Sequence, residues 1–114
     1  NDLLDATIHA ANGRREAASS IVGRIEARLR RAGQDPYPDL LLPAAALAHQ
    51  RGETERAARW LRRVRDADRP TQSFQATVVY RRLREAVGEP TAPLDEASLV
   101  EVGASAIAWM AETS

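Results

Sequence analysis

The stretch that most constrains this chain is Leu40 to Pro70, LLLPAAALAHQRGETERAARWLRRVRDADRP. Its first half places Leu40, Leu41, Ala44, Ala45 and Ala48 at the three-and-four spacing of a helix with one apolar stripe. Its second half does the same with Ala57, Trp60, Leu61 and Val64. Gly52 stands between the two runs. Glycine reaches the positive φ that helix C-termini commonly adopt, so Gly52 ends the first helix. Glu53 and Glu55 then set negative charge at the start of the second, where the helix dipole favours it, and Pro70 stops that helix. The pattern predicts a helical hairpin.

The rest of the chain follows the same period. Leu3, Leu4, Ile8 and Ala11 share one face of a short first helix that ends at Asn12-Gly13. A second helix runs from about Arg14 to about Ala32, with Ala18, Val22, Ile25 and Leu29 as its stripe, Ile21 widening it and Gly33 closing it. Gln34 to Pro38 is a loop. Pro43 cannot lie deep inside a helix without removing a backbone bond, so the third helix begins near Leu42 or kinks there. A fifth helix, about Ser73 to Val87, buries some of Phe74, Val78, Val79, Leu83 and Val87 and ends at Gly88-Glu89-Pro90. Asp95 is placed to cap the last helix, with Glu96 in its first turn and Ser98 three residues on. From Leu99 to Ala111 the apolar residues Leu99, Val100, Val102, Ile107, Trp109 and Met110 leave Glu101 as the sole charge. A helix apolar nearly all round needs a second surface to cover it.

The fold class expected is therefore all-α: about six helices in one domain over residues 1–114, as hairpins at about 1–33, 39–69 and 72–113. Aromatics make up 4% of the chain and alanine is abundant. Small residues let helices approach closely, so little room is expected for a ligand cavity. No residue run is long and apolar enough to cross a membrane. The chain opens at Asn1 inside a helical pattern, from which a piece of a longer protein is the expectation.

Chemistry-bearing residues are sparse. Cysteine is absent, and the two histidines, His9 and His49, stand near helix ends without an HExxH or comparable pairing. Ser19 and Ser20 lie inside a helix with no base at a readable spacing, and the glycines build no phosphate-binding loop. No enzyme, cofactor or metal is expected.

All 16 basic residues are arginine, and the net charge is zero. Residues 1–69 carry 13 arginines against 10 acids, a net +3, and the remainder is −3, too mild for a nucleic-acid footprint. Arg14, Arg15, Arg24, Arg28, Arg30 and Arg31 with Glu16 and Glu26 read as the solvated face of the second helix. In the fourth helix Arg59, Arg62 and Arg63 with Arg56 can share a face. Surface arginines relieved by Glu53, Glu55, Asp66 and Asp68 are the first reading there, with an acidic protein partner or a phosphate as the sharper alternatives.

Gly13 is followed by Ala18, Val22 and Ile25 in the register in which Gly52 is followed by Ala57, Leu61 and Val64, at an offset of 39 residues. With Ala45, Gly52, Ala57, Leu61 and, one place late, Pro70, the central hairpin resembles the tetratricopeptide repeat. Ala48 and Thr54 stand where tyrosine is usual in that family. The run RGETERAARWLRRV followed by VVYRRLREAVGEP is similar to the helical tails of actinobacterial signalling ATPases and transcriptional regulators. These resemblances imply a short superhelical array of stacked hairpins, cytoplasmic, serving as an interaction or sensor scaffold in a larger regulatory or signalling protein. By register they put Leu42, Ala46, His49 and Gln50, with Arg81 and Arg82 of the fifth helix, along a concave partner groove. The partner implied is a protein or a neighbouring domain of the parent chain. The alternative is a structural module that assembles, as a homodimer or against such a domain, through Ile107, Trp109 and Met110. Nucleic-acid binding through the arginine-rich helices is the least favoured reading.

Overall fold

Helix propensity and glycine punctuation give six helices among the described residues. The computed structural model describes residues 2–33, 40–66, 74–89 and 98–112, and among these it is all-helical, without strands. The helices are α1 (Asp2–Ala11), α2 (Arg15–Arg31), α3 (Leu41–Gln50), α4 (Thr54–Asp66), α5 (Phe74–Val87) and α6 (Leu99–Glu112). Gly52 has φ +83° and shows how the tightest connection is made. Its N–H donates to the His49 carbonyl at 3.0 Å, and the Glu53 N–H reaches back to Ala48 at 2.9 Å. A side chain with Cβ would strain this left-handed turn.

Pro43 is the third residue of α3, which begins at Leu41. There its missing N–H would have had no intrahelical acceptor, so the helix needs no kink. The loop at Gln34 to Pro38, the stop at Pro70 and the cap at Asp95 lie outside the described residues. The cap of α6 is Ser98. Its Oγ accepts from the Glu101 N–H at 3.2 Å, while the Ser98 N–H donates to Glu101 Oε2 at 3.3 Å. This reciprocal pair satisfies two N–H groups that the helix start would leave open.

α3 is the axis of the core. Leu41 to Ala48 are all buried, because α1 and α4 pack extensively on α3 and α6, α5 and α2 add further contacts. α1 and α2 also pack closely together, so α1–α2 and α3–α4 form two hairpins with α1 beside α3. The stripes read for α2 and α4 face this core: Ala18, Val22, Ile25, Ala57, Trp60 and Leu61 are buried. α1 differs from its sequence reading. Ala6, Thr7 and Ala10 are buried, whereas Ile8 is 44% exposed and Ala11 is exposed. Contact with two helices at once selects the face of small residues over the face of large ones. The Thr7 hydroxyl enters this seam by donating to the Leu3 carbonyl at 2.8 Å.

A third hairpin spanning 72–113 was expected, but α6 packs on α2 and α3, and α5 packs mainly on α4. Two ionic ties hold these placements. Arg15 of α2 donates from Nη1 to the Met110 and Ala111 carbonyls at 3.1 and 2.9 Å, meeting α6 at its negative end. Glu89, just past α5, pairs with Arg84 and with Arg62 of α4, the latter at 3.4 Å. Arg15 is thus removed from the solvated face expected of α2. Among the described residues no helix is long and apolar enough to cross a membrane.

Candidate functional site

The burial of Ala57, Ala58 and Leu61 against α3 orients α4. Arg56, Arg59 and Arg63, at helical spacings of three and four, then fall on a neighbouring side around Trp60. Docking of α6 supplies the opposite wall. Between them lies a cleft of about 600 Å³ lined by Glu53, Arg56, Arg59, Trp60, Arg63 and Val102. An alanine-rich core leaves little internal space, and the cleft forms at the surface where α6 meets α4.

The aromatic part of the lining is Trp60, which packs on Trp109. Trp60 and Trp109 meet edge to face, with ring centroids 5.3 Å apart and planes at 67°. The Arg56 guanidinium carbon lies 5.2 Å from the Trp109 centroid and 5.9 Å from that of Trp60, within cation–π range of both. Glu53 holds the same guanidinium from its Nε at 3.5 Å. Glu55 lies 3.7 Å from Arg59 Nε, too long for a hydrogen bond, and that nitrogen is buried with no acceptor. Arg63 has no ion pair among the described residues. The face expected to hold four arginines is therefore split, since Arg62 turns away to Glu89.

The groove read from register is not a free face. Leu42 and Ala46 are 4% and 1% exposed, core residues of a helix surrounded by its neighbours. Transfer by register fails here because residues 41–48 of α3 are buried all round, and solvent reaches only its C-terminal end at His49 and Gln50. His49 is half-buried and its Nδ1 is enclosed without a hydrogen-bond partner. Gln50 is exposed and its amide lies against Gly13, where a Cβ would come within 3.0 Å of Nε2. Arg81 and Arg82 are exposed on α5.

The expected assembly surface is also largely occupied from within the chain. Met110 is fully buried, and Ile107 and Trp109 are half-buried against the core. The exposed side of α6 instead carries Val100, Ala104, Ser105 and Ala108.

His9 accepts at Nδ1 from Arg14 Nε at 2.9 Å. Along α2, Arg24, Arg28 and Arg31 border a shallow depression with Gly23, and Asp2 pairs with Arg28 at 3.3 Å. Among the described residues no three His, Asp or Glu side chains gather in a way that could hold a metal ion.

The sequence shows the arginines and the Trp60 stripe but not Val102 as the facing wall, nor Trp109 as the ring packed against Trp60. A tryptophan on the buried stripe of α4 with arginines at 56, 59 and 63 around it was the available local signal. The partner wall had none, because it comes from a helix some forty residues away. Searches for relatives return no match to a protein-family model, a curated protein or a solved structure.

Proposed function

We propose that this chain is a protein-interaction or sensor module of a larger regulatory or signalling protein, built on two tetratricopeptide-like hairpins, and that it binds through the α4–α6 cleft. The observation that carries this reading is the cleft itself, a surface depression that sets three arginines around Trp60, whose ring is backed by Trp109. Tryptophan and arginine dominate binding energy at protein interfaces, since each joins a large apolar area to a directional donor. The α1–α2 and α3–α4 pairs with α1 beside α3, and the glycine turn at Gly52, support the repeat-like part. Arginine cannot act as a proton acceptor, and the cleft carboxylates face guanidinium groups, so the reading assigns binding and no catalysis. Assembly through α6 is the weaker reading, because Met110 is already buried by its own chain.

The test is a selection of twelve-residue display peptides on the folded chain, followed by NMR titration of the indole N–H signals. Selected peptides that shift the Trp60 and Trp109 signals support the reading. A selection that enriches nothing above an unrelated helical bundle overturns it.

A further inference from the structure

Resting on that reading, we propose that the occupant of the α4–α6 cleft is an extended acidic segment of a partner protein, whose carboxylates are taken by Arg59 and Arg63 beside Trp60 and Val102. The three cleft arginines are not equivalent. Arg56 is committed to Glu53 and to both indoles. Arg59 is in ion-pair range of Glu55 at 3.7 Å, though its Nε–H has no hydrogen-bond acceptor, and Arg63 presents a full guanidinium fork with no carboxylate among the described residues. With Glu53 beside Arg56 and Glu55 beside Arg59, Arg63 is the cleft cation left unmatched, and carboxylates match the guanidinium fork in shape and charge.

Spacing points to the form of the segment. Arg59 and Arg63 stand one helical turn apart, about 6 Å along the axis. Side chains two apart on an extended strand are separated by about 6.6 Å, so an acid–x–acid sequence presents carboxylates at matching intervals. Half-buried Val102, with the rim of the otherwise buried Trp60, offers a narrow apolar strip beside them, suited to an aliphatic side chain flanking the acids. Glu53 and Glu55 belong to the same cleft and leave its three arginines a small net positive charge, which opposes a continuous phosphate backbone more than a segment with a few discrete carboxylates.

The experiment titrates the 114-residue chain, followed by tryptophan emission, with a twelve-residue peptide whose centre is Leu-Ser-Asp-Ser-Asp-Ser-Leu. Its asparagine counterpart and an oligothymidylate of twelve residues are the comparison probes. The aspartate peptide is expected to bind and to be weakened about tenfold by Arg63→Ala and by replacement of its aspartates. Arg24→Ala, on the far face of α2, leaves it unchanged. Arg63→Gln serves as a second variant, with circular dichroism reporting that each is folded. Binding that falls equally for Arg63→Ala and Arg24→Ala, or that is tighter for the oligothymidylate, overturns the proposal. If only display-selected, non-acidic peptides move the indole signals, the acidic occupant is overturned and the interaction reading stands. If nothing binds, both fall.

Discussion

Replacing Arg15 with methionine tests whether α6 is part of the folded unit. Arg15 Nη1 bridges the Met110 and Ala111 carbonyls, which belong to the last turn of α6 and have no intrahelical donor. The side chain is 18% exposed, so water screens the contact only in part. Methionine keeps the apolar stem and removes the donor and the charge. A hydrogen-bonding charge at a helix C-terminus in a partly buried setting contributes about 1–2 kcal/mol. If α6 opens locally, its amides should exchange about 5- to 30-fold faster in Arg15→Met than in the parent. Arg24→Met, on the same helix but far from α6, should change stability by less than about 0.5 kcal/mol. Native-state hydrogen exchange, with Trp109 emission as a second report, makes the comparison. Equal exchange of the α6 amides in the two variants would refute the claim that α2 anchors α6, and with it the rigidity of the cleft.

Four further outcomes follow from local geometry. Gly23 lies inside α2 outside the left-handed region, and a Cβ there would meet nothing within 4 Å. Gly23→Ala should therefore raise stability by about 0.8–1 kcal/mol and the melting temperature by about 4 °C. Gly52→Ala, equally open in space but at φ +83°, should lose about 1–2 kcal/mol, and the opposite signs are read in one denaturation series. Ser98→Ala should cost about 1 kcal/mol, and adding Glu101→Ala should cost less than its single effect, since both disrupt one capping pair. A thermodynamic cycle of Trp60→Leu and Trp109→Leu should return a coupling of about 0.5–1.5 kcal/mol, and a value near zero would mean the two rings are not in contact in solution.

The legible parts of this protein are those in which one face of a helix differs sharply from the other. α4 is the clearest case: its arginines and its Ala57, Trp60, Leu61 stripe cannot exchange places, and the stripe is buried. In α1, Leu3 packs against the core as its stripe implies, but Ile8 and Ala11 face outward although Ile8 looks more hydrophobic than Ala6, Thr7 and Ala10. The core instead needed the thin face, where two helices approach at once. The stripe read for α3, Leu41, Ala44, Ala45 and Ala48, is buried, but the opposite side, Leu42, Pro43, Ala46 and Leu47, is apolar as well, so no polar residue before His49 reveals that this side is covered too. Its assignment to a groove by repeat register placed Leu42 and Ala46 on a surface that α3 does not have.

By itself the sequence determined the number of helices, their ends at Gly13, Gly33, Gly52 and Gly88, and the stripes of α2 and α4. All of these depend on residues within a turn or two: backbone φ, local propensity and the 3.6-residue period. Only the tertiary structure decided that α6 leaves α5 and docks on α2 and α3, and hence that a cleft exists. The contacts responsible join Arg15 to Met110 and Trp60 to Trp109 across long stretches of chain. No local pattern encodes such pairings, because each residue would satisfy its own helix equally well with any partner of suitable shape and charge.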